Sequence, residues 1–255
     1  MSPFKKTFPL LNRGLASLLS PGTCWSCAAP SPDEICQGCL QGLKANTPSP
    51  CVSCALPLAA RESTAHRCAA CLEHPPNFER AVAPFLYEGT VPNLLHQAKF
   101  GKHVRPLALL ASLASPAFQD HLDEFQPEGS FPMPLPWRRR WKRGFNQSFL
   151  LAQDLLKHAR VDLPLVGGVQ RKFTEPQAQK ERHERLKRLK EAFHLSSSRP
   201  FRGKKILLVD DVMTTGATAD ALAKVLIQGG AEAVQVFVIA RVTREAPLQF
   251  QRKVA

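Results

Sequence analysis

Eight cysteines, all lying between positions 24 and 71, constrain this chain more than any other feature. They form four Cys-x-x-Cys pairs, Cys24/Cys27, Cys36/Cys39, Cys51/Cys54 and Cys68/Cys71, and none follows in the rest of the sequence. A Cys-x-x-Cys turn presents two sulfurs to one ion, and zinc takes four such ligands at tetrahedral corners. Eight thiolates suffice for two sites, so one or two structural zinc ions are expected. Spacing leaves the pairing open. A sequential scheme joins Cys24, Cys27, Cys36 and Cys39, then Cys51, Cys54, Cys68 and Cys71; an interleaved scheme is equally compatible. His66 and His74 are surplus ligands. Redox dithiols usually stand as a single pair in a βαβ setting, and a disulfide scaffold belongs to a secreted chain. No three-ligand pattern with an open position, as catalytic zinc requires, is evident.

Around these pairs, residues 21–76 are rich in Cys, Pro and Ala and poor in large aliphatics, a segment too small to fold well without a staple. Pro75-Pro76 marks its end. The organisation expected is a lead-in helix over 1–20, a double zinc ribbon over 21–76 and a larger domain over 77–255. With 44% hydrophobic and 22% charged residues, the chain of 255 can build a substantial core, which excludes wholesale disorder. No uncharged apolar run approaches the ~20 residues of a membrane helix. The best candidate, 106–118, reads as a buried helix. Lys5 and Lys6 precede apolar residues as in a signal peptide, but Arg13 splits that stretch and no convincing cleavage site follows. A soluble, cytoplasmic protein is expected.

Beyond residue 77 the pattern alternates between strand and helix. Residues 81–87 and 130–135 read as strands, 91–100 and 147–160 as amphipathic helices. The clearest unit comes later. Residues 206–209, Ile-Leu-Leu-Val, form the continuous apolar run of a buried parallel strand. Asp210 and Asp211 follow, then Thr214, Thr215, Gly216, Ala217 and Thr218 lead into a helix with Ala221, Leu222, Val225 and Leu226 on one face. Gly229-Gly230 ends it, and 234–240 supplies another apolar strand. Strand, helix, strand spells a βαβ unit, hence an α/β fold with a parallel sheet covered by helices.

The chemistry of that turn is specific. Free N–H groups at the helix start converge with the helix dipole on one spot, which suits a phosphate. Paired carboxylates beside it suit sugar hydroxyls, or Mg²⁺ directly or through water. A strand-end turn with acidic capping is the plainer reading. The combination of apolar strand, twin aspartates and Thr-Thr-Gly-x-Thr goes beyond it, and it matches neither the P-loop nor the dinucleotide fingerprint.

This segment resembles the 5-phosphoribosyl-1-pyrophosphate (PRPP) motif of type I phosphoribosyltransferases. With the cysteines it is similar to the ComF/GntX family, associated with DNA uptake and use. Cys24-Trp25-Ser26-Cys27, Leu95-His96-Gln97-Ala98-Lys99-Phe100, Arg143-Gly144-Phe145-Asn146-Gln147 and the acidic loop occur in the family's order, so the likeness spans nearly the whole chain. The resemblance implies a type I phosphoribosyltransferase-like sheet with helices on both faces, plus a small zinc-ribbon module. It also implies that Asp210 and Asp211 hold the ribose hydroxyls and that residues 214–218 cradle the 5-phosphate. The loop around Arg140, Arg143 and Gly144 would face the pyrophosphate, and Gln177 with the basic segment after it would match the loop that covers the ligand in related enzymes. Two positions depart. Lys187-Arg188 stands where the family often has Arg-Asn, and Thr214 stands where purine-salvage relatives place an aspartate. The tail after Arg241 is short, with no visible hood to select a base.

The formal charge is +13, and its distribution is more telling than its size. Residues 137–205 hold 19 Lys/Arg against 6 Asp/Glu, so the whole excess sits there. Trp137-Arg138-Arg139-Arg140-Trp141-Lys142-Arg143 packs five cations and two indoles into seven residues. Cations attract phosphate backbones and indoles stack on unpaired bases, so Trp137, Arg138, Arg139, Trp141 and Lys142 are expected to meet single-stranded DNA. The competing reading has both indoles anchoring a loop to the core. The function expected is a DNA-uptake factor that binds PRPP with Mg²⁺ and single-stranded DNA, with a DNA-uptake helicase or processing protein as partner. An active pentosyltransferase is the alternative, and a zinc-stapled adaptor without ligand a third.

Overall fold

Two long apolar strands and the helix between them organise the molecule. The computed structural model describes residues 22–47, 49–58, 66–101, 103–135, 141, 144–171 and 193–243. In chain order these form α1 (Gln37–Gln41), β1 (Leu43–Ala45), α2 (Ala69–Glu73), β2 (Ala81–Val82), β3 (Phe85–Gly89), α3 (Thr90–Phe100), α4 (Arg105–Phe125) and β4 (Gly129–Pro132). They continue with α5 (Gln147–Ala159), β5 (Val169–Arg171), β6 (Phe193–Leu195), β7 (Lys205–Met213), α6 (Ala217–Gln228) and β8 (Ala233–Arg241).

The main sheet has the order β1-β3-β8-β7-β4, with β2 also on β8. Strands β2, β3, β4, β7 and β8 pair in parallel, and β1 joins β3 antiparallel. Alternation along a strand sends side chains to opposite faces. Leu207 and Val209 therefore join the core under α3, α4 and α5, while Ile206 and Leu208 join the one under α6. Helices on both faces explain why β7 and β8 read as unbroken apolar runs.

Three differences from the sequence reading have local causes. β7 runs four residues past Val209, because β8 is long enough to keep pairing: Asp210 lies opposite Val238 and Met213 opposite Arg241. The acids thus stand inside the strand's C-terminal end rather than beyond it. The strand expected over 81–87 is split at Ala83-Pro84, since proline has no N–H for a ladder. Asn46 covers the gap, donating its backbone N–H to the Pro84 carbonyl and Nδ2 to that of Ala83. The helix expected over 106–118 extends to 21 residues despite Pro116. The Ser112 carbonyl that Pro116 cannot serve accepts a bond from Ser115 Oγ instead, at 2.9 Å.

The cysteine-rich stretch is joined to this sheet. β1 lies between its two halves and pairs with β3, and Gly89 makes the approach possible. Its φ is +59°, and a Cβ there would sit 2.1 Å from the Gly42 carbonyl oxygen. The lead-in helix expected over 1–20 lies outside the described residues. Among the described residues, no helix is long and apolar enough to cross a membrane.

One core residue is unexpected. His121 of α4 is 2% exposed and lies near the Phe125 and Phe237 rings, and among the described residues neither ring nitrogen has a hydrogen-bond partner. Burial, and then the charge of Arg80, lowers its pKa to about 4. Between that value and an unfolded one of about 6.5, the unfolded chain binds more protons, so stability falls as the medium is acidified. His121→Leu is expected to stabilise the fold by about 1–3 kcal/mol at neutral pH and by more at pH 5. Paired thermal melts at the two pH values test this, and equal melting temperatures for both proteins would contradict it.

Candidate functional site

In a parallel sheet, ligand sites form where loops leave the strands' C-terminal ends. Here β7 ends in Asp210-Asp211-Val212-Met213, and α6 begins four residues after Met213 at Ala217. Gly216 caps the helix at φ +81°, a left-handed turn that an L side chain rarely adopts. Thr215 Oγ1 accepts the Ala217 N–H at 3.3 Å. Asn77 ties down the first turn of α6, donating N–H and Nδ2 to Asp220 Oδ1 at 2.6 and 2.8 Å.

The two aspartates have unequal surroundings. Asp211 is buried, and its Oδ2 lies 2.5 Å from Lys99 Nζ in an ion pair that is itself largely buried. Asp210 keeps partial contact with solvent, and its Oδ1 accepts from Ser148 Oγ at 2.8 Å and from the Asp211 N–H at 2.9 Å. Burial and then the neighbouring Asp211 charge push the Asp210 carboxyl up to about 7, against the pull of Ser148, the Asp211 N–H and Lys99. Tyr87 of β3 is also raised, by burial and by Asp211. The pair is therefore one carboxylate tied to a lysine and one neighbour whose proton affinity is raised, set before the α6 helix start.

Sequence reasoning missed Lys99 and Ser148. Lys99 lies within the Leu95–Phe100 motif; a lysine beside the apolar residues Leu94, Leu95 and Ala98 was the available signal. Ser148 carried none, because its bond to Asp210 spans 62 residues of sequence.

The basic loop starts and ends at this corner. β4 lies beside β7, and Asn146 Nδ2 donates back to the Met133 carbonyl at 3.1 Å, while Asn146 Oδ1 caps α5 by accepting the Ser148 N–H. Of the loop's expected site residues, Gly144 adopts φ +83°, and no atom of the described residues lies within 4 Å of where a Cβ would go. Trp141 is 85% exposed, so it does not anchor the loop to the core. Trp137, Arg138, Arg139, Arg140, Lys142 and Arg143 lie outside the described residues. So do Gln177 and the basic segment after it, whose flanks pair as the antiparallel ribbon of β5 and β6.

The cysteines fall into sequential groups, Cys24/Cys27/Cys36/Cys39 and Cys51/Cys54/Cys68/Cys71, with all sulfurs of a group within 4.8 Å of one another. Zn–S bonds of ~2.3 Å in a tetrahedron place sulfurs ~3.8 Å apart. Cys27 and Cys36 Sγ are 3.8 Å apart, as are Cys54 and Cys68 Sγ, far beyond a disulfide. The donor set therefore fits two structural metal ions. The halves repeat one design: Ala28 and Ala55 follow the second cysteine at positive φ, and Cys36 and Cys68 precede short helices. Burial raises the Cys39 thiol to about 12 and also pushes Cys54 and Cys71 up. At Cys24 and Cys51 burial acts the same way, but backbone N–H groups prevail and bring the thiols down to about 6 and about 7.

A parallel sheet covered on both sides, with an acidic strand end meeting a Thr/Gly helix start, defines a phosphoribosyltransferase-type fold, here joined to a cysteine module. Residues 146–253 match the phosphoribosyl transferase domain family. DNA utilization protein YhgH of Salmonella typhimurium is 34% identical over 233 residues, covering 88% of this chain and 99% of that protein. Competence protein F of Haemophilus influenzae is 32% identical over 213 residues, covering 81% and 90%. The chain belongs to this ComF/GntX family of competence and DNA-utilization proteins. A solved purine phosphoribosyltransferase from Pyrococcus horikoshii overlaps 52% of this chain at 16% identity and TM-score 0.34, too loosely to add weight.

Proposed function

We propose that this protein binds PRPP with Mg²⁺ at the β7–α6 corner and single-stranded DNA at the adjoining basic loop, as a cytoplasmic factor in DNA uptake or use. The observation that carries the reading is the junction of Asp210 and Asp211 with the Thr214, Thr215, Gly216, Ala217 and Thr218 turn. Asp210 and Asp211 would hold the ribose hydroxyls or Mg²⁺, and the turn with the α6 dipole would hold the 5-phosphate. Arg140, Arg143 and Gly144 would face the pyrophosphate. The two cysteine groups would hold structural zinc in a ribbon module over 21–76, joined through β1 to the ligand domain over 77–255. Calorimetric titration with PRPP and Mg²⁺ is expected to give saturable binding, and the absence of binding would sink the proposal.

What supports DNA is the charge of the loop together with Trp141, whose exposed indole would be free to stack on a base. The names of the relatives point the same way. If about four to five phosphates are neutralised, log affinity should fall with log salt at a slope near −3. Trp141→Ala should weaken binding by about 5- to 150-fold without changing that slope, as loss of one ~1–3 kcal/mol stack implies. Fluorescence anisotropy with a labelled oligonucleotide reads both quantities, and a slope near zero counts against the interface. Transfer of the phosphoribosyl group to an acceptor is the second reading, carried by the match to the transferase domain. Pyrophosphate release with bases or nucleic acids would reveal it.

A further inference from the structure

Arg241 closes β8 with only 4% of its surface exposed. Its Nε donates to the Cys54 carbonyl at 2.8 Å, and its Nη1 donates to the carbonyls of Met213 at 3.0 Å, Val242 at 2.8 Å, and Thr214. Nη2 lies 4.0 Å from Cys54 Sγ. Every acceptor is an uncharged carbonyl or a sulfur, and no carboxylate among the described residues forms an ion pair with it. A buried charge in such surroundings is costly unless something opposes it. Four thiolates around a divalent ion carry a net charge of about −2, so a loaded Cys51/Cys54/Cys68/Cys71 group supplies the missing counter-charge next to the guanidinium. The same guanidinium grips Met213 and Thr214, the residues from which the phosphate turn departs.

We propose that Arg241 is a positioning residue, the counter-cation of the metal-loaded second cysteine group and the strut that fixes the 214–218 turn, so that metal occupancy at one site sets phosphosugar affinity at the other. The phosphosugar half rests on the PRPP reading above; the strut itself does not. Such coupling is reciprocal, so bound PRPP must hold the metal more tightly by the same factor.

Arg241→Lys keeps the charge but loses the planar fork that spans both sides. In the ligand-free, zinc-loaded chain, amide hydrogen exchange over 213–218 is expected to be about 10-fold faster in R241K than in wild type, with α4 and α5 unchanged. An unchanged turn, or a uniform acceleration across the molecule, would overturn the strut. PRPP with Mg²⁺ is expected to bind R241K about 10-fold more weakly by calorimetry, and equal affinity would overturn the coupling. A wild type that binds no PRPP would instead defeat the ligand reading and leave the exchange measurement to decide the strut. Should R241K fail to fold, zinc affinity of wild type measured by equilibrium competition with a chelator decides: saturating PRPP must raise the affinity for one zinc about 10-fold, and an affinity indifferent to PRPP refutes the coupling.

Discussion

Replacing Asp210 and Asp211 together with asparagine is expected to weaken PRPP binding by at least about 100-fold while the fold survives. A hydrogen bond from a sugar hydroxyl to a charged carboxylate contributes about 1.5–3 kcal/mol, so losing two reaches that factor. The unequal surroundings of the acids give the single variants distinct signatures. Asp211→Asn strands Lys99, which now pairs with Asp211 across 2.5 Å in a largely buried setting, and should lower stability as well as affinity. Asp210 is the opposite case. Its carboxyl is raised to about 7, so the folded state holds a proton that the unfolded chain releases, and its contribution to stability declines as pH rises from about 4 through 7. Asp210→Asn should therefore melt a few degrees higher than wild type at pH 8 while binding PRPP poorly. In wild type, if the ionised form accepts the hydroxyls, affinity should rise about 10-fold from pH 6 to pH 8. Calorimetry across that range checks the direction. A double variant with undiminished affinity would remove the acid pair from the site.

Cys71→Ser is expected to cost the protein one bound zinc and a melting temperature lower by on the order of 10 °C, whereas Cys27→Ser costs its zinc at a smaller penalty. The second cysteine group is buried throughout, and its small apolar cluster consists of its own four cysteines with Leu56, against which Leu58 packs. Among the described residues that cluster offers little apolar area in place of the metal, and structural zinc contributes on the order of 10 kcal/mol to small modules. A fraction of that, about 3 kcal/mol, accounts for the expected shift in a chain of this size. The first group has an exposed Cys27 and half-buried Cys36 and Cys39, and it leans on the main core through Trp25, which meets His103 at a ring distance of 5.1 Å. Elemental analysis and thermal melts distinguish the two variants. Equal melting temperatures would show that burial does not rank the sites.

The sequence alone determined the elements whose cause is local. The apolar runs, the Thr/Gly turn, the Gly229-Gly230 helix stop and the four Cys-x-x-Cys pairs each depend on residues a few positions apart, so periodicity and spacing revealed them. The ends of elements were less legible: β7 continues through its acids because β8 pairs with it there, a partner that no local pattern announces. Tertiary structure alone decided the cysteine grouping, since both schemes share the same spacings and the groups differ only in which turns meet in space. It also decided which long-range side chains serve the corner. Lys99, Ser148 and Arg241 come from α3, α5 and β8, and their bonds to Asp211, Asp210 and Cys54 close only when the sheet aligns its strands' C-terminal ends. A charge in an amphipathic or apolar segment is visible in a sequence; its counter-charge is fixed by distance in three dimensions.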